Sequence, residues 1–472
     1  MRKSIPLVCL ATPLLLAACG GSATPCDGVS GACVAIASSA TESEISSAFV
    51  QAAPNATIAF PAATFTFKNS LNLANVKGVT IKGAGIGKTI LDFSGVVGSG
   101  EGIVATGTDS LLFEDFTARD TKGNGIKVVG ADGVTWRRVQ TVWTNPDGHT
   151  HGAYGLYPVQ SHDILIENCE VAGAADAGVY VGQSDHIVVR NNDVHHNVAG
   201  IEIENSSYAN VHDNSAHDNV GGILVFNMPD LQVNEGGYHH VYNNTVKSNN
   251  AVNFAARGSS VARVPGGTGA FVLAGHDIEF DHNTFESNNG PALSVISYPL
   301  TGDSRVAGCD GSAPFSYGYC ARMWPARVFV HDNVFTGNGM HPVSPSPADC
   351  PDPTHPGSAT DCQDPVAWQL SLMLEASAVF VTQASGPGVA PLVYDGMSDP
   401  TASTATWGGA ASNPMNICFG PAGSNGSAYL LDLQFAVSGG SDFSAMTTDM
   451  SAYRCTLPAQ TMADADVVSK AP

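Results

Sequence analysis

The sequence predicts an all-β fold: a single-chain solenoid of stacked strands, a β-helix with rungs of 22 to 23 residues. The first observation behind this is a repeat. Gly155-Leu156-Tyr157-Pro158-Val159-Gln160 returns as Gly178-Val179-Tyr180-Val181-Gly182-Gln183. It returns again as Gly200-Ile201-Glu202-Ile203-Glu204-Asn205 and as Gly222-Ile223-Leu224-Val225-Phe226-Asn227. The glycine steps are 23, 22 and 22, and a fixed period in this range marks units that stack only on their neighbours. The second observation is the period-2 patterning after each glycine, followed by a second strand-like segment such as Ile187-Val188-Val189; that is the signature of strands. The third is a column of asparagines. Asn192, Asn214, Asn244, Asn283 and Asn333 each follow the second strand of a rung. Stacked asparagines satisfy one another's amides and accept the left-handed backbone of a tight turn.

The elements follow in chain order. Arg2 and Lys3 precede an apolar run over residues 5–16, which is too short to span a bilayer. Residues 1–18 are read as a targeting leader, outside the fold. Leu16-Ala17-Ala18-Cys19-Gly20 resembles a bacterial lipobox, which implies cleavage before Cys19 and lipid on its sulfur. Gly20 is not the aspartate that retains such proteins at the inner membrane, so the expectation is the outer membrane of a bacterial envelope. Residues 19–40 are rich in Gly, Ser and Ala and are expected to form the lipidated tether. No later segment is apolar enough to cross a membrane, so the anchor is expected to be lipid alone.

Thr41-Glu42-Ser43-Glu44 is a capping box, with Ile45, Phe49 and Ala52 on one helical face. A helix here would plug the open apolar end of the solenoid, as terminal repeats require. Residues 57–61, 79–81 and 89–93 supply the first rungs. Gly83-Ala84-Gly85-Ile86-Gly87-Lys88-Thr89 has the look of a phosphate loop but fails the spacing, and a strand follows where a helix is needed. Regular rungs start at Gly102, Gly125, Gly155, Gly178, Gly200, Gly222 and Gly269, with Ala292 in register. Two steps are long, at 30 and 47 residues, and the excess is expected in loops at 144–153, 229–238 and 251–268. The β-helix is expected over residues 41–340, a Pro- and Asp-rich loop over 341–365, and an irregular C-terminal cap over 366–472.

Eleven cysteines suit an oxidising compartment. Without Cys9 in the leader and Cys19, four local pairs suggest themselves: Cys26 with Cys33, Cys309 with Cys320, Cys350 with Cys362, and Cys418 with Cys455. Spacing alone does not fix connectivity. Cys169 is left over, in the register of Asn192 and Asn214, and is read as a buried ladder residue. The formal charge is −22, and −24 once Arg2 and Lys3 are removed with the leader. Such a chain is a poor fit for nucleic acid, which demands clustered cations. It also disfavours a polyanionic substrate unless calcium bridges the two.

Together, the segments 151–160, 177–184 and 200–206 carry a resemblance. They resemble the right-handed parallel β-helix of the pectate-lyase-like superfold, and more narrowly a family of bacterial β-helix repeat lipoproteins, over about residues 42–340. The broader resemblance implies relatives among pectate and alginate lyases, mannuronan epimerases, polygalacturonases, tailspikes and nonenzymatic surface proteins. The narrower one implies an exported partner protein, because such genes tend to sit beside that of a second exported protein. None of the familiar lyase or polygalacturonase signatures stands intact here, so no catalytic residue carries over. Fold alone does not fix function.

The residues themselves point to one face. Alternation sends the second and fourth residues after each glycine outward. Those columns gather Tyr157, Tyr180, Glu202 and Glu204, with Phe226 beside them and Gln160, Gln183, Asn205 and Asn227 at the strand ends. The three long loops would flank this face and bring Asp147, His149, His151, Arg257 and Arg263. The expected function is binding, with cleavage or modification, of a polysaccharide as lyase, hydrolase or epimerase. Glu202, Glu204, Asp176, Tyr180 and His149 are the catalytic candidates. Tyr157, Phe226, Arg257, Arg263 and the four amides are the substrate-binding candidates. Glu202, Glu204 and Asp176 also offer hard oxygens for calcium, and His149 with His151 could add nitrogen for zinc or copper. The competing expectation is a nonenzymatic scaffold that docks the exported partner or a metal. Adjacent glutamates would then be a solvated face and the amides a second turn ladder. The remaining histidines, including His195, His196, His212 and His217, are read as solvated turn residues.

Overall fold

A computed structural model describes residues 24–98, 100–145, 148–256, 258–301, 323–340, 390–399, 404–428, 430–433 and 446–470. The leader, Cys19, Asp147, Arg257 and the loop at 341–365 lie outside them. So do Cys309, Cys320, Cys350 and Cys362, so the two disulfides expected between Cys309 and Cys320 and between Cys350 and Cys362 fall outside the described residues. The other two expected pairs are formed: Cys26 with Cys33 and Cys418 with Cys455.

Each rung contributes strands to a parallel β-helix. The strands that follow the glycines form one sheet, with eleven members among the described residues. Its central members are Tyr154–Val159, Ala177–Gly182, Ala199–Glu204, Gly221–Phe226 and Thr268–Leu273. The later strands of each rung make the remaining faces, which run together where Leu111–Arg119 and Asp132–Val142 are long enough to span both. Register is strict: Val179 pairs Ile201, Tyr180 pairs Glu202, and Gly182 pairs Glu204. Like therefore stacks on like. Leu156, Val179, Ile201, Ile223, Ala270 and Leu293 form one interior column with no exposure. Burying each branched aliphatic in such a column is worth about 1.5–3 kcal/mol.

The glycine column has a packing reason. A Cβ on Gly178 would stand 2.6 Å from the Val194 Cγ1 and 3.0 Å from the carbonyl oxygen of Gly200 in the next rung. The glycine and the residue after it both face the interior, so strict alternation breaks there. The residue before the glycine is consequently turned outward.

The capping helix is Glu42–Val50, with Ile45 and Phe49 buried. The Thr41 amide donates to the Glu44 carboxylate at 2.7 Å, and the Glu44 amide donates to the Thr41 hydroxyl at 3.4 Å. The tether is shorter than expected. Cys33–Ala35 is a strand paired with Thr57–Ala59, and the disulfide to Cys26 ties the chain before it. A strand edge with unpaired backbone groups recruits the preceding chain.

The asparagines stack as the sequence predicts, but the left-handed position of each turn falls on the residue before, at Asn191, Asp213, Asn243, His282 and Asp332, and a second column runs alongside. Asn192, Asn214, Asn244, Asn283 and Asn333 pass hydrogen bonds from rung to rung. Five residues further on in each rung, Asn197, Asn219, Asn249, Asn288 and Asn338 do the same. Cys169 heads the first column: its amide donates to the Asn192 side chain at 2.9 Å, and burial pushes its thiol up to about 12.

The sheet continues beyond residue 340. Leu392–Tyr394 pairs with Leu293–Ile296, and Leu430–Asp432 pairs with Leu392–Tyr394. Asn425 extends the asparagine column from Asn333 across 92 residues. The disulfide between Cys418 and Cys455 closes this region. The last described segment then runs back along the outside of the β-helix. Its helix Asp464–Val468 buries Val467 against Leu165 and Val188. The Asp464 carboxylate accepts from Arg190 at 2.9 Å and from Asn210 at 2.9 Å, and contacts the His212 ring at 2.8 Å. His212 is therefore buried, not solvated on a turn. Among the described residues no helix is long and apolar enough to cross a membrane.

Candidate active site

Neighbouring strands position the acidic groups. Tyr180, Glu202 and Glu204 project from the outer side of Ala177–Gly182 and Ala199–Glu204, and Asp176 stands just before the first of these. The face is roofed, against the competing expectation that the adjacent glutamates are solvated. Glu202 is 3% exposed, Glu204 7% and Leu224 0%. The roof is the 251–268 loop, whose single 3-10 turn Val261–Arg263 is held by the buried Asn253 amide, which donates to the Val261 and Val264 carbonyls at 2.9 Å each. Beneath it lies a cavity of about 340 Å³. Tyr154, Asp176, Tyr180, Glu202 and Glu204 make its polar wall, Leu224, Phe226, Phe271 and Leu273 its apolar floor, and Ser259, Ser260, Arg263 and Tyr298 its rim. An apolar alcove of about 110 Å³ adjoins it and shares Ser260, Arg263, Val264, Phe271, Leu273 and Thr301.

Burial governs the electrostatics. The Asp176 carboxyl is pushed up to about 8 by burial and by the neighbouring Glu204 charge, against a hydrogen bond from Tyr154 that opposes the shift. Burial, then the charges of Asp176 and Glu204, hold Glu202 well above the carboxylate range. Burial also raises Glu204, but the Tyr180 hydroxyl donates to its carboxylate and moderates the rise. Burial and the same carboxylates raise the Tyr154 and Tyr180 phenols. The cavity thus holds carboxyl groups that keep a proton near neutral pH beside one that a phenol holds as acceptor, a division suited to proton transfer.

The tyrosines form one block. The Tyr154 and Tyr180 rings lie 4.4 Å apart, and Tyr157 meets Tyr180 edge-on at 5.0 Å. Tyr157 stands behind the cavity wall, with the Lys127 ammonium 5.2 Å from its ring centre. Phe226 is in the floor and Arg263 at the rim, where its guanidinium donates to the Thr301 carbonyl at 3.3 Å.

Two expectations are corrected by the geometry. The strand-end amides are spent on protein. Asn205 donates to the Met228 and Val233 carbonyls at 2.9 and 2.8 Å, and Asn227 to the Gly236 and Ala274 carbonyls at 3.1 Å each. Gln183 accepts from the Gln232 amide at 3.0 Å, and Gln160 donates to the Gln232 side chain. They fasten the loop after the fourth of these strands, and Asn205 and Asn227 are buried beyond reach of a ligand. His149 is exposed on the turn Gly148–Thr150 and is not in the cavity wall. His151 stacks on Trp143 and packs edge-on against Phe254, so it joins two loops.

Sequence reasoning missed Tyr154, because simple alternation turns the residue before a glycine inward. It also missed Ser259, Ser260 and Tyr298, which carry no periodic signal. Among the described residues, the set of three potential ligands gathered within 4.8 Å is His240, Glu279 and Asp281, on another face.

The family model for the right-handed β-helix region matches residues 65–235. No curated protein matches the chain. Among solved structures it is similar to a mannuronan C-5 epimerase A-module from Azotobacter vinelandii, at 14% identity and TM-score 0.40, over 64% of this chain and 84% of that one. It is also similar to an exopolygalacturonase from Thermotoga maritima, at 13% identity and TM-score 0.36, over 61% and 76%. A third is the N-terminal fragment of gene product 12 of bacteriophage Phi29, at 14% identity and TM-score 0.38, over 60% and 52%.

Proposed function

Since the chain is a right-handed parallel β-helix protein, we propose that it is an envelope protein that binds a neutral glycan in the roofed cavity and cleaves it by acid–base chemistry. The observation that carries this reading is the gathering of Asp176, Glu202 and Glu204 in one roofed cavity, with two of them biased toward the protonated form. Glycoside cleavage needs a protonated carboxyl beside the leaving oxygen and a second carboxylate for water or the sugar carbon. Glu202, held protonated by burial and by the neighbouring Asp176 and Glu204 charges, fills the first role. Glu204, oriented by the Tyr180 hydroxyl, fills the second. The tyrosine and phenylalanine surfaces suit the apolar face of a sugar ring, and the rim serines suit its hydroxyls.

Charge selects against uronates. Three carboxyl groups face one cationic side chain, Arg263, among the described residues of the wall. A uronate would add a fourth negative group where the protein already resists ionisation. The scaffold reading fares less well at this site. A protein partner cannot touch Glu202 or Glu204 without lifting the roof.

The test uses a panel of neutral and acidic polysaccharides with the chain freed of its leader, following reducing ends and unsaturated uronate together. Reducing ends from a neutral glycan, with no unsaturation, are expected. Unsaturated products would make the protein a lyase and overturn the hydrolytic assignment. No glycan retained in affinity electrophoresis would remove the glycan itself.

The anchor is part of the same proposal and rests on Leu16-Ala17-Ala18-Cys19. Full-length chain expressed in a bacterium is expected to incorporate labelled fatty acid and sediment with membranes, and Cys19→Ala to abolish both. Label that persists in Cys19→Ala would refute it.

A further inference from the structure

A second constellation stands on the outer face of the strands that precede the asparagine turns. Gly237–Tyr242, His276–Asp281 and Ala326–His331 are neighbours in register. His240 pairs with Glu279, and Asp281 pairs with His331. Val241, Phe280 and Val330 fill the interior, so the flanking positions all point outward. His240 and Glu279 consequently share one outward column, and Asp281 and His331 the next, stepped across three rungs. One ligand atom each from His240, Glu279 and Asp281 lies within 4.8 Å of the others. The His240 Nε2 is 2.6 Å from the Asp281 Oδ1, and the His331 Nε2 is 3.0 Å from the Glu279 Oε1.

The outer atoms of three members are tied down separately. The Asp332 carboxylate is 2.7 Å from the His331 Nδ1. The His282 Nδ1 is 2.6 Å from the Asp281 Oδ2. The Gln460 amide donates to the Glu279 Oε2 at 2.7 Å. Each of these three groups therefore has one atom held by the surroundings and the other turned toward a neighbour in the cluster, Asp281 toward His240 and Glu279 and His331 toward each other, with His331 at the edge of the set of three. A carboxylate on the far nitrogen of a histidine fixes its tautomer and leaves the near nitrogen's lone pair inward, the arrangement found behind metal-ligating imidazoles. Both carboxylates are largely buried, with side-chain exposures of 5% for Glu279 and 12% for Asp281.

We propose that His240, Glu279, Asp281 and His331 form a binding site for a divalent cation of the zinc class, on a different face from the roofed cavity. Two imidazole nitrogens and two carboxylate oxygens balance a dication and suit tetrahedral zinc. Calcium, which takes six to eight oxygens, finds too few here. The cation would rivet three rungs together. Through Glu279 and Gln460 it would also fasten the returning C-terminal segment.

The test is metal uptake by the leader-free chain. After equilibration with Zn²⁺ and gel filtration, about one equivalent per chain is expected to remain. Co²⁺ in its place is expected to give the intense visible bands of a four-coordinate centre. His240→Ala and Asp281→Asn are expected to lose the ion. Asp332→Asn, which touches no metal, is expected to weaken it about 10- to 100-fold. The partly exposed group of His195, His196 and His217 is the competing binder, and His196→Ala is expected to change nothing. No retained Zn²⁺, a weak octahedral Co²⁺ spectrum, or uptake that follows His196 instead of His240 each overturns the site. The Co²⁺ spectrum is read on the unmodified chain, so the outcome does not depend on a variant folding.

Discussion

Glu202→Gln is expected to lower glycan cleavage by about 10²- to 10⁴-fold, the ordinary contribution of a positioned general acid, while making the protein more stable at alkaline pH. The two effects share one cause. Burial and the Asp176 and Glu204 charges raise the Glu202 carboxyl, and Asp176 is raised to about 8. A carboxyl raised on folding binds more protons in the folded state than in the unfolded one, between the ordinary carboxyl value near 4 and its raised value. Stability therefore falls as pH rises through that window. It is undiminished below about pH 4, and the Asp176 share of the penalty develops as pH rises through about 8. A glutamine in place of Glu202 removes one ionisable group and one repulsive partner of Asp176. The melting temperature of the variant should thus exceed that of the parent at pH 8 and approach it at pH 4. Activity–stability exchange of this kind is what a destabilised active site produces. A variant that kept full activity, or whose change in melting temperature was the same at both pH values, would show that the trio is only structural.

Asn244→Ala is expected to be the most destabilising single substitution in the β-helix, by about 3–5 kcal/mol. Asn244 is 1% exposed. Its side-chain oxygen accepts from the Asn214 amide and from the Asn214 side chain, each at 3.0 Å. Its side-chain nitrogen donates to the Val211 carbonyl and to Asn283, each at 2.9 Å. Alanine leaves several of these buried partners unsatisfied, at about 1–3 kcal/mol each. Because a solenoid couples mainly neighbouring rungs, the loss should show in amide exchange of the rungs on either side, as well as in the urea midpoint. Asn338→Ala, at the half-buried end of the second column, should lose far less. Its side chain accepts from Asn288 and donates only to the Phe285 carbonyl. Equal losses at the two positions would mean that the columns act as a surface feature and not as a buried ladder.

The sequence by itself determined the rungs, the register of the outward columns, the first asparagine ladder, the capping box at Thr41 and the placing of Tyr180, Glu202 and Glu204 on one face, with Asp176 as a candidate beside them. These follow from a short period, and a period is local information that stacking repeats without change. The tertiary structure decided what that face becomes. The roof is drawn from residues 251–268, two rungs further along the chain, and it converts Glu202 and Glu204 from a solvated edge into a buried acid pair. The loop after Phe226 likewise took up Gln183, Asn205 and Asn227, since a loop laid over a sheet must satisfy its backbone groups on whatever amides lie beneath. Tyr154 came outward because two successive interior positions at Gly155 break the alternation. The cluster of His240, Glu279, Asp281 and His331 was invisible in the sequence for another reason. Its members are 39, 2 and 50 residues apart in the chain, and loops of unequal length between rungs hide their stacking. Contacts made through loops of variable length carry no period, so only the folded chain reveals them.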